Sequence, residues 1–163
     1  MKRLRVALLV LLLLGLLVAA TGCKITGGGW IPSATGEGKA NIAYNVQIAD
    51  EEPNEFIKGN LVYHDMAADV RVKCEVEGTC SGVALGDEFE PIGALLTGTY
   101  TPQGKYEPGD EGTFAIWVAD YHGSGPDSGD FTEISLAGGK YDGYYNGAPL
   151  EGGNFTYHVT ADE

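Results

Sequence analysis

Residues 40 to 48 alternate without a break. Ala40, Ile42, Tyr44, Val46 and Ile48 are separated by Asn41, Ala43, Asn45 and Gln47, and a period of two residues is that of a strand with one face buried and the other wet. The same period returns where Val70, Val72, Cys74 and Val76 alternate with Asp69, Arg71, Lys73, Glu75 and Glu77, a pattern that suits an antiparallel sheet.

Further strands are expected over Phe56–Tyr63, Thr113–Tyr121, Phe131–Leu136 and Asn154–Thr160, the last with Phe155, Tyr157 and Val159 on one face. Ile92–Tyr100 reads as a strand interrupted by Gly93 and Gly98, which mark a bulge. Cys80–Leu85 reads as the partner strand of the Val70 segment. After Tyr141–Tyr145, Asn146-Gly147 is a type I′ turn signal. No helical stripe follows residue 23. The expected fold is all-β, a single antiparallel β-sandwich or barrel of about eight to ten short strands after an N-terminal signal segment.

That segment opens on Lys2, Arg3 and Arg5, continues through an apolar run of fifteen residues from Val6 to Ala20, and ends in Ala20-Thr21-Gly22-Cys23. A bilayer span needs about 20 apolar residues, and small residues stand where a signal peptidase cuts. The ending resembles a bacterial lipobox, although that family prefers leucine where Ala20 stands. The resemblance implies that Cys23 is acylated and begins the mature chain, which would be extracytoplasmic and lipid-anchored. Lys24 in place of aspartate implies the outer membrane or the cell surface. The alternative is an ordinary secretory signal cut nearby, or an uncleaved anchor helix. The chain then divides into a signal peptide (1–22), a short leader (23–29) holding Trp30 within about 25 Å of the anchor, and a β-domain (30–163).

The full chain of 163 residues has a net charge of −13, and without Lys2, Arg3 and Arg5 its ten basic residues become seven against 23 acidic ones, a net charge of −16. So acidic a chain repels phosphate backbones and anionic headgroups, which excludes nucleic acid as a partner. With Cys23 taken by lipid, Cys74 and Cys80 form a pair in an oxidising compartment. If Val76, Glu77 and Gly78 make a three-residue loop, the two cysteines stand opposite each other on neighbouring strands, within disulfide range. Two cysteines without a nearby histidine pair make a poor zinc site.

The loop from Asp120 to Asp130 is rich in glycine and carboxylate. Asp120, Asp127 and Asp130 are candidate calcium ligands, with Glu133 beyond them, because a glycine-rich loop lets several oxygens turn onto one ion. The alternative is a solvated loop whose aspartates accept bonds from their own backbone. Calcium is the one cofactor the residues suggest. Trp117, Tyr141, Tyr144 and Tyr145 are candidates for an aromatic platform that takes a sugar or peptide. Tyr144 and Tyr145 are adjacent, so on a strand they face opposite sides and one belongs to the core.

His64, His122 and His158 are scattered, and no Gly-x-Ser-x-Gly elbow is present. His64-Asp65 is the one adjacent pair in which a carboxylate could orient a base. No catalytic residue is assigned.

Gly27-Gly28-Gly29-Trp30-Ile31, Gly59-Asn60-Leu61-Val62-Tyr63-His64-Asp65, Arg71-Val72-Lys73, the Asp120 to Phe131 loop and Gly152-Gly153-Asn154 come in an order that resembles the post-COAP type of β-domain in bacterial secreted proteins. That resemblance covers most of the chain after residue 23 and implies fold and compartment, with no activity. The expected function is a membrane-anchored, non-catalytic β-domain that binds an unknown protein or carbohydrate ligand or serves structurally. The alternatives are a calcium-stabilised binding module and a secreted hydrolase.

Overall fold

The computed structural model describes residues 24–51, 54–78, 92–121 and 129–158. Nine strands account for most of them: β1 Lys24–Pro32, β2 Lys39–Glu51, β3 Asn54–Asp65, β4 Val70–Gly78, β5 Ile92–Pro102, β6 Gly112–Asp120, β7 Phe131–Ala137, β8 Tyr145–Pro149 and β9 Gly152–His158. A single 3-10 turn, Gly139–Tyr141, is the one helical piece among the described residues.

All nine strands belong to one antiparallel sheet in the order β8-β7-β6-β5-β4-β3-β2-β1-β9. β8 and β9 stand at its opposite edges, yet only Leu150 and Glu151 separate Pro149 from Gly152. Backbone of that length reaches about 11 Å at most, so the sheet curls until its edges approach, as a half-barrel does. β8 runs antiparallel to β7 and β9 antiparallel to β1, which gives β8 and β9 the same direction. Residues 145–158 are therefore one extended run that changes partner from β7 to β1. At the change, the Leu150 N–H donates to the Asp130 carbonyl at 2.7 Å and the Glu151 N–H to the Trp30 carbonyl at 3.0 Å. Of the sandwich and the barrel, the single curled sheet is nearer the barrel.

The two-residue period decides what fills the curl. Ala40, Ile42, Tyr44 and Val46 of β2 face inward with Val70, Val72, Cys74 and Val76 of β4, and one core cluster extends through every strand. Tyr63, Tyr100 and Phe155 are its largest fully buried side chains. Each buried aliphatic side chain contributes about 1.5–3 kcal/mol.

Four local expectations are corrected. The leader is β1: Lys24 already pairs with Gln47 of β2 and His158 of β9, because a sheet neighbour on each side satisfies a glycine-rich backbone of poor strand propensity. The three-residue loop at Val76–Gly78 does not form, since β4 runs through to Gly78, which pairs with Ile57. Asn146-Gly147 is no turn but the middle of β8; the reversal is made earlier, where Gly138, Gly139 and Gly143 have positive φ. β5 and β6 stay in register through Gly98, so that glycine marks a close approach, where a Cβ would overlap the Glu75 carbonyl, and not a bulge. Residues 80–85 lie outside the described residues.

Candidate functional site

The aromatic candidates divide between the two faces of the sheet. Tyr141 and Tyr144 pack against the core from the β7–β8 connection. Tyr144 donates its hydroxyl proton to Asp65 at 2.8 Å, so in the 2.8 Å contact between the two phenols Tyr63 is the donor, a hydroxyl having one proton to give. The Asn146 amide donates to Tyr63 at 2.8 Å and to the Pro32 carbonyl at 3.0 Å. Asp65 also accepts from Ser33 Oγ at 2.6 Å and from the backbone N–H groups of Ala34 and Ala68 at 2.9 and 3.2 Å.

Burial alone would raise the Asp65 pKa, but the four bonds outweigh it and hold the carboxyl below its usual value. Tyr63 is pushed up to about 12, mainly by burial. Burial, together with the bond Tyr144 donates to Asp65 and the charge of that carboxylate, carries Tyr144 far above the usual tyrosine range. A carboxylate with four donors and two phenols that hold their protons make a clamp between β1, β3 and β8. Asp65 points inward while His64 faces out and meets Gln103 Oε1 at 2.7 Å. Successive strand residues face opposite sides, so the two cannot act as a dyad.

The calcium candidates are only partly described. Asp127 and His122 lie outside the described residues, as does the side chain of His158. Asp130 is fully buried and accepts the backbone N–H of Phe155 at 2.9 Å and of Tyr121 at 3.2 Å. Asp120 lines a cavity of about 10 Å³ with Tyr44, Val118 and Phe155, room for about one water. The Tyr44 hydroxyl is buried and without a hydrogen-bond partner among the described residues. Among those residues no group of three His, Cys, Asp or Glu side chains is placed to hold a metal. Cys74 carries a buried free thiol, with Leu61 and Tyr100 as its neighbours across the sheet; its expected partner Cys80, like Cys23, lies outside the described residues.

Trp117 and Tyr145 share the outer face. Trp117 stands opposite Leu95 and Glu133, and Glu133 opposite Gly147. A Cβ at Gly93 would lie within 3.0 Å of three contiguous indole atoms, Cζ2, Cη2 and Cε2, the pattern of a ring lying flat on the sheet. Trp117 is partly exposed, so its other face turns outward. Tyr145 is 57% exposed and stands near the Glu133 carboxylate on the same face. Its pKa is raised by slight desolvation and then by the neighbouring Glu133 charge. Sequence reasoning placed Glu133 at the calcium loop; only the pairing of β6 with β7 brings it beside Trp117. It also passed over Asn146 as a clamp residue, because Asn-Gly carries a local turn signal.

No protein-family model matches the chain, and no curated protein or solved structure matches it either, so the lipobox and post-COAP resemblances rest on the residues quoted for them.

Proposed function

We propose that the chain is a lipid-anchored extracytoplasmic module that binds a ligand on its surface and performs no catalysis. The observation that carries the reading is that Lys24, the residue after the lipobox cysteine, is already paired within the sheet with Gln47 and His158. An acylated Cys23 would be joined to the sheet with no linker, its Cα about 4 Å from that of Lys24. Such a tether sets the end of the sheet that carries Lys24 and His158 against the bilayer, and the end with the Asp65 clamp away from it. The net charge of −16 expected after cleavage adds no attraction to an anionic surface, which leaves the lipid as the attachment.

Surface binding without catalysis is supported by what occupies the interior. Side chains fill it, and the polar groups of the clamp are engaged with one another. The outer face offers the ring of Trp117, the hydroxyl of Tyr145 and the carboxylate of Glu133 as groups a ligand could meet.

The test is metabolic labelling of the full chain with radioactive palmitate in a bacterial host. The wild type should take up label and fractionate with membranes, and Cys23→Ala should lose both. Label that persists in Cys23→Ala, or a wild type that never acquires it, would sink the anchored reading.

A further inference from the structure

We infer that the outer face of β5 to β8 binds a neutral saccharide chain, with one sugar ring stacked on the indole of Trp117. The inference rests on the reading of the protein as a binding module, and deepens it by naming the ligand class and the residues.

Charge is divided unevenly over the sheet. The outward positions of β2, β3 and β4 carry Lys39, Lys58, Arg71, Lys73, Glu75 and Glu77. The outward positions of β5 to β8 carry one charged side chain, Glu133. In a chain of net charge −13 that face is close to neutral, which suits a ligand with neither phosphate nor ammonium groups. The outward hydroxyls of Thr97, Thr99, Thr113 and Ser135 are exposed around it; Thr113 and Ser135 donate to the Ala137 and Ala115 carbonyls and keep lone pairs to accept.

The two tryptophans differ in a way that bears on ligand binding. Lys39 Nζ sits 3.4 Å from the ring centroid of Trp30 and covers its face. Among the described residues no ring or cation stacks on Trp117. Its inner face lies over Gly93, and the exposed part of the ring can be stacked by an apolar C–H surface. Beside it, across the strand pair, the Glu133 carboxylate stands near the Tyr145 hydroxyl, and its lone pairs can accept sugar hydroxyls. Trp117 and Tyr145 stand two strands and one ladder step apart, about 12 Å by sheet spacings, a span that asks for an oligosaccharide. Gly147 and Ala115 keep the floor between them flat.

The test uses the full chain in mild detergent on a glycan array bearing neutral, uronic-acid and sulfated chains, alongside Trp117→Ala, Tyr145→Ala, Glu133→Gln and, as a control, Trp30→Phe. Neutral chains should be captured. Trp117→Ala should weaken capture about tenfold or more, Tyr145→Ala and Glu133→Gln should weaken it less, and Trp30→Phe should leave it unchanged. Tyr145 is exposed, so its variant keeps the test valid if Trp117→Ala fails to fold. Capture of no glycan, capture of charged chains alone, or capture indifferent to Trp117, Tyr145 and Glu133 would overturn the inference. So would Trp117-dependent self-association on gel filtration without glycan capture, which would assign the face to a second copy. Cys23→Ala run on the same array separates the two readings, since loss of the lipid leaves glycan capture intact.

Discussion

The carboxylate of Asp130 accepts the backbone N–H of Phe155 at 2.9 Å and so ties the start of β7 to β9, strands that do not pair. Its other oxygen accepts from Tyr121 at 3.2 Å, and its own carbonyl accepts from Leu150. One residue therefore fastens the seam where the chain changes partner. Asp130→Ala would leave a buried N–H at Phe155 and a partly exposed one at Tyr121. A loss of about 2–3 kcal/mol in urea unfolding is expected, with Asp130→Asn between the variant and the wild type. The loss should be equal in calcium and in chelator, since both oxygens already serve backbone donors. A loss that appears only in calcium would return the residue to a metal site.

Asp65 makes the opposite end of the sheet sensitive to acid. Its folded pKa lies below the usual value, so folding favours the ionised form. That contribution is complete above the unfolded carboxylate pKa of about 3.9 and is lost as pH falls through the lower folded value. The stability gap between the wild type and Asp65→Asn, measured by urea unfolding, should be constant from neutral pH down to about 5 and shrink below about 4. A gap unchanged down to pH 3 would mean that the carboxylate is not held ionised by its four donors.

Two buried tyrosines predict opposite responses to loss of their hydroxyls. Tyr44 buries an oxygen that has no partner among the described residues, and burial, with the charges of Asp130 and Asp120, raises its pKa well above the usual value. Tyr44→Phe should be neutral or stabilising by about 1 kcal/mol. The Tyr63 hydroxyl joins Asn146 to Tyr144, and Tyr63→Phe should cost about 1–3 kcal/mol by leaving the Asn146 amide short of an acceptor. Thermal and urea unfolding of both variants checks the contrast. A destabilised Tyr44→Phe would mean that a bound water or ion uses that hydroxyl.

Strands whose faces differ in polarity were legible: β2 and β4 emerge from alternation alone. β1 was not, because its three glycines carry no face, and its strand state comes from pairing with β2 and β9. β8 was hidden by a local turn preference that tertiary contacts override, since the Asn146 amide finds Tyr63 and Pro32 instead of its own backbone. At the candidate site the aromatic residues could be read but not their grouping. That Trp117 and Tyr145 share a face follows from the pairings of Trp117 with Glu133 and of Ser135 with Tyr145, and register between strands is set by the whole sheet.

Cys74 carries the last prediction. Its thiol is fully buried, and burial pushes its pKa up to about 12. The thiolate is the reactive form, so at pH 8 a thiol of this kind should alkylate about a thousandfold more slowly than a free cysteine of pKa about 8.5. β4 continues past it to Gly78 with Leu61 and Tyr100 across the sheet, which leaves the disulfide expected with Cys80 without the hairpin meant to form it. Iodoacetamide at pH 8 followed by mass spectrometry should leave Cys74 unmodified in the native chain and modify it fully in urea, both without reductant. If Cys74 stays unmodified in urea until reductant is added, the cysteine is bridged, and the end of β4 must turn back toward residue 80 after all.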